Sequence, residues 1–67
     1  MHLERIAGDC PDGRTCPTVY KTDRETIVVQ GYVVPARELT QIALPDGEAA
    51  VEIPITLLEA AARAQRR

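Results

Sequence analysis

The chain contains no tryptophan and no phenylalanine, and its two tyrosines bring the aromatic content to only 3%. A core built on large aromatic rings is excluded, so packing falls to Ile, Val, Leu and Ala, which bury less area each. Histidine is nearly absent as well: His2, beside the first residue, is the only one. Acid/base chemistry and activation of a cysteine nucleophile both need a positioned base, and no such base is evident. No segment approaches the roughly 18 apolar residues of a membrane-spanning helix. The opening Met1-His2-Leu3-Glu4-Arg5-Ile6 lacks the apolar core of a signal peptide. A cytoplasmic protein without membrane attachment is the expectation. The glycines Gly8, Gly13, Gly31 and Gly47 match neither a dinucleotide-binding fingerprint nor a Walker loop. Basic residues are outnumbered, eight against ten acidic, giving a net charge of -2. That balance argues against a nucleic-acid binder driven by overall charge.

What is present points to a folded domain. Hydrophobic residues make up 45% of the 67 positions, too many for a disordered tail. The length predicts a single small domain over residues 1–67. A domain of this size buries only about 60% of its unfolded surface and is marginal without a disulfide, a metal or oligomerisation.

The richest segment is Thr26-Ile27-Val28-Val29-Gln30-Gly31-Tyr32-Val33-Val34, dense in β-branched residues and closed by Pro35. As one strand it sets Ile27, Val29, Gly31 and Val33 on one face and Val28, Gln30, Tyr32 and Val34 on the other. Both faces are mostly apolar, and so short a chain cannot cover both. A second copy or another protein is expected to supply the cover. Gly31 interrupts the strand and marks either a bulge or a close backbone approach, the bulge being slightly favoured.

The other elements follow from local patterns. Residues 2–7 form a short strand or a ragged arm. Residues 8–17, with two Gly and two Pro, form a loop. Thr18 to Lys21 reads as a strand, joined through Thr22-Asp23-Arg24-Glu25 to the next, so that 18–34 is a β-hairpin. Residues 35–44 suggest one or two helical turns after Pro35, and Pro45-Asp46-Gly47 a turn. The alternation over 48–53 predicts a strand. Residues 56–66 predict a helix: Thr56 to Glu59 fits a capping box, alanines follow, and Arg63, Arg66 and Arg67 suit the C-terminal dipole. Leu57, Leu58, Ala61, Ala62 and Gln65 make its docking stripe. The expected fold is α+β: a small antiparallel sheet of three or four strands with one C-terminal helix packed on it.

Three sets of residues are candidates for function. Tyr20, Ile27, Val29, Tyr32 and Val34 form a candidate interface, since tyrosine buries ring area while its hydroxyl stays wet. Cys10 and Cys16, with five residues between them in the loop, can be two reduced thiols, a disulfide, or part of a metal site with His2 or a second chain. Arg63, Arg66 and Arg67 form a candidate basic patch. The acidic pairs Asp9/Asp12 and Asp23/Glu25 read as solvated turn residues.

The stretch Ala50-Val51-Glu52-Ile53-Pro54-Ile55-Thr56-Leu57-Leu58-Glu59-Ala60-Ala61 resembles the strand, Ile-Pro and short helix of AbrB-type antitoxins. The Gly-Asp turn and return strand that complete their swapped hairpin do not follow. The order of elements over residues 16–64 is similar to that of the small BldB-like actinomycete regulatory-partner family. Cys16-Pro17-Thr18-Val19, Val29-Gln30-Gly31-Tyr32 and the segment from Ile53 to Ala64 fill the corresponding places. That family's N-terminal Trp, its Ser-Ser-Tyr pattern and its charged second-strand segment are absent. The resemblance implies a non-enzymatic homodimer working beside helix-turn-helix transcription regulators.

The expected function is therefore a small non-enzymatic interaction module without cofactor, a homo-oligomer and a partner of a transcription regulator. Two alternatives stay open: a nucleic-acid binder using the C-terminal arginines, and a small metal or redox protein using the cysteine pair.

Overall fold

The computed structural model describes residues 1–8 and 16–65. Among them the chain forms β1 (Leu3–Gly8), β2 (Thr18–Thr22), β3 (Ile27–Gln30), β4 (Tyr32–Val33), a single 3-10 turn (Ala36–Glu38), β5 (Val51–Glu52) and α1 (Ile55–Gln65). Strands β1, β2 and β3 make an antiparallel sheet in that order, β4 and β5 make a second two-stranded sheet, and α1 is the C-terminal helix. The architecture is α+β. Of the two readings of residues 2–7, a short strand or a ragged arm, the strand is the one formed, paired to β2 from Leu3 opposite Thr22 to Gly8 opposite Thr18.

The β2–β3 hairpin turns on Asp23-Arg24-Glu25, with the Thr22 amide bonded to the Thr26 carbonyl at 3.0 Å. Glu25 takes the left-handed conformation, φ 61°. This is the geometry of a three-residue hairpin loop. The left-handed region costs a side-chain-bearing residue on the order of 1 kcal/mol. Thr22 offsets that cost. Its buried hydroxyl accepts from the Arg24 amide at 3.0 Å and the Thr26 amide at 3.2 Å, and shares a 2.7 Å bond with the Thr26 hydroxyl.

Register assigns the sheet faces. Val19 pairs with Val29 and Ala7, and Lys21 with Ile27, so these residues share the face that carries α1. The β1–β2 register shifts between Arg5 and Ala7. This bulge inserts Ile6 as the extra residue, and both Ile6 and Ala7 pack against the core, which strict alternation would forbid. The buried apolar core is Val19, Leu57 and Ala61, with Ile6, Ala7 and Ile53 packed around it.

Four expectations require correction. The single strand over 26–34 is two strands in two sheets, divided at Gly31. Gly31 marks a close backbone approach and not a bulge: a Cβ there would stand 2.7 Å from the Glu52 carbonyl oxygen and 2.8 Å from Ile53 Cγ2. The strand expected over 48–53 shrinks to Val51–Glu52, because its partner β4 is only two residues long. The helix begins at Ile55, and the amides of Leu57 and Leu58 both reach the Pro54 carbonyl. Thr56 thus lies inside the first turn, where it cannot act as the N-cap residue of a capping box.

Candidate interaction cleft

Helix α1 lies over β1 and β2 and leaves β3 largely bare. Its orientation explains the gap. Leu57 is 3% exposed and Ala61 6%, whereas Leu58 is 62% exposed. Positions 57 and 61 point at the sheet, and positions 58, 62 and 65 lie about 100° around the helix, turned toward β3. Between that flank and the bare face of β3 runs an open cleft of about 200 Å³. Ile27 and Val29 line it from the strand, Leu58 and Ala62 from the helix, with Val19 and Ile53 beside them. Among the described residues Gln65 is its only polar lining side chain.

The cleft is accompanied by more exposed apolar surface than a chain this size needs. Among the described residues the buried core is only Val19, Leu57 and Ala61, while ten large apolar side chains are exposed, Val33 at 73% and Ile55 at 79% among them. The radius of gyration is 13.0 Å, against about 11 Å for a compact domain of this length. The accessible surface is 5450 Å². A compact monomer of 7.3 kDa exposes about 4,200 Å².

The structure divides the five residues of the candidate interface. Ile27 and Val29 meet in the cleft. Tyr20 is half-buried on the opposite face of the sheet, where its hydroxyl donates to Gln30 Oε1 at 3.3 Å. Tyr32 belongs to the second sheet and is 60% exposed. Val34 extends that sheet, its amide bonded to the Ala50 carbonyl at 3.0 Å. Sequence reasoning missed Leu58 and Ala62 as cleft residues because it assigned them to the core. The double width of the apolar stripe was the signal: one half docks on the sheet and the other lines the cleft.

Cys16 is disulfide-bonded and half-buried at the start of β2. The chain's other cysteine, Cys10, lies outside the described residues. Glutathione would reduce such a bond in a cytosol, so the disulfide and the expected location pull in opposite directions. The His2 backbone amide donates to Asp23 Oδ2 at 3.3 Å, which ties the start of β1 to the hairpin turn. Among the described residues no three His, Cys, Asp or Glu side chains gather as a metal site, and no helix is long and apolar enough to cross a membrane. Arg63 stands exposed in the last turn of α1, and Arg66 and Arg67 lie outside the described residues.

No protein family, curated protein or solved structure matches the chain.

Proposed function

We propose that this chain is a small non-enzymatic interaction module whose fold is completed by a second polypeptide seated in the cleft between β3 and α1. One observation carries this: a buried apolar core of three residues beside an open, almost wholly apolar cleft. Burial contributes about 25 cal/mol per Å², and so small a core sits at the limit of what offsets chain entropy. The BldB-like order of elements adds a class of partner, a helix-turn-helix regulator, which makes the module part of transcription regulation. A cytoplasmic setting for that role requires the Cys16 disulfide to be dispensable for the fold.

Thermal melting of the isolated chain tests the need for a partner. At low micromolar concentration it should melt below about 45 °C, the lower edge for mesophilic domains. Its melting temperature should rise when a binding polypeptide is present, by mass action. A chain that stays monomeric and melts well above that range at every concentration contradicts the proposal.

A further inference from the structure

Resting on the reading of the cleft as an interaction site, we infer that the polypeptide completing it is a second copy of this chain, joined edge to edge through β3 in an antiparallel register centred on Val28, so that the two clefts meet across the two-fold axis. Among the described residues β3 is the outer strand of the three-stranded sheet, and no strand pairs with the outer edge of its Ile27–Val29 stretch. Exposed edges are normally blunted by a charge, a proline or a bulge. Thr26-Ile27-Val28-Val29-Gln30 has neither a charge nor a proline, and its pairing with β2 runs without a register shift. Such an edge is a template for another strand.

The strand is complementary to itself. A two-fold axis perpendicular to the sheet keeps each face on its own side, and residues opposite one another in antiparallel strands share a face. Ile27 and Val29 must therefore oppose residues of the same face in the second copy. Centring the axis on Val28 sets Ile27 opposite the partner's Val29 and Val28 opposite the partner's Val28. Every central pair is then β-branched against β-branched, which is favourable on a pleated surface. No like charges meet, because residues 26–30 carry none. The two three-stranded sheets become one sheet of six, and the two clefts join across the axis. The chain as a whole exposes 5450 Å², about 1,250 Å² beyond a compact monomer of its mass. One partner in a standard interface gives up about 800 Å².

Disulfide trapping reads the register. Opposed Cα atoms in an antiparallel pair are about 4.5–5.5 Å apart, within bridging reach, whereas the diagonal neighbour is about 7–8 Å away. Full-length Val28→Cys should convert under mild oxidation to a covalent dimer, and the unaltered chain should not. Val29→Cys alone should stay single, and so should Ile27→Cys, while a mixture of the two should give a cross-linked heterodimer. The mixture also serves if Val28→Cys fails to fold, judged by circular dichroism before oxidation. Association that traps Val33→Cys but neither β3 combination overturns the β3 interface and leaves the interaction module standing. A chain that remains single and poorly folded at high micromolar concentration overturns the second copy as occupant, again without touching the module. A stable, well-folded monomer overturns both.

Discussion

Leu57→Ala should lower the melting temperature by about 10–30 °C, enough to leave much of the chain unfolded at ordinary temperatures. Leu57 is 3% exposed and is the largest member of a three-residue buried core with Val19 and Ala61. Truncating a buried leucine costs about 2–5 kcal/mol, the lost transfer energy plus the cavity left behind. A domain of this size has roughly 3–10 kcal/mol to lose, and each kcal/mol shifts the midpoint by about 4–8 °C. The neighbouring Leu58→Ala is the control. Leu58 is 62% exposed on the cleft flank, so its loss should leave the helical signal of the dilute chain almost unchanged and weaken association instead. Melting both variants by circular dichroism decides the matter. A larger loss at Leu58 than at Leu57 would mean that the helix presents its other flank to the sheet.

Gly31→Ala should detach the second sheet from the first. The added methyl would sit 2.7 Å from the Glu52 carbonyl oxygen, 2.8 Å from Ile53 Cγ2 and 3.2 Å from Val51 Cβ. The nearest of these is backbone, which cannot swing aside as the end of a long side chain would. Overpacking of this kind costs about 1–3 kcal/mol. The strain falls on β5, which pairs with β4 through only Tyr32 opposite Glu52 and Val33 opposite Val51. Amide exchange should therefore rise at Val34, whose amide bonds to Ala50, and through β4 and β5, more than in β1 and β2. Unchanged exchange at Val34 would show that β4 and β5 have room the close approach denies them.

Much of the fold was legible in residue patterns, and the errors have physical causes. The β-branched run over 26–34 announced a strand, but a period of two says nothing about which sheet a strand joins. The break lies at Gly31 because β5 approaches there, and β5 is remote in sequence. The helix was clear from its alanines and leucines, but its start was displaced. Pro54 supplies the carbonyl that receives the first amides, and the Thr56–Glu59 spacing imitates a capping box two residues too late. The bulge at Ile6 left no local mark. It shows only when Val19 and Leu57 are in place to receive two successive side chains from one strand.

The candidate site was half legible. Ile27 and Val29 stood out as an apolar face with nothing to cover it, and that face lines the cleft. The tyrosines Tyr20 and Tyr32 join them on the interface chemistry of their side chains and Val34 as part of the same strand, and the sheet pleat and the break at Gly31 send all three elsewhere. The apolar stripe on the helix was recognised, but its two jobs were not. A stripe holding Leu57, Leu58, Ala61, Ala62 and Gln65 spans about 140° at 100° per residue. A sheet covered on one side takes only part of it. The rest is surface that the folded monomer does not use.

Sedimentation equilibrium of the unaltered full-length chain tests the central claim most directly, because a cleft completed by a second copy is a statement about mass. Across the micromolar range the apparent mass should climb from near 7.3 kDa toward twice that value, and the melting temperature should climb with it. A mass fixed at one chain throughout that range, in a protein that still unfolds cooperatively at high temperature, would contradict it.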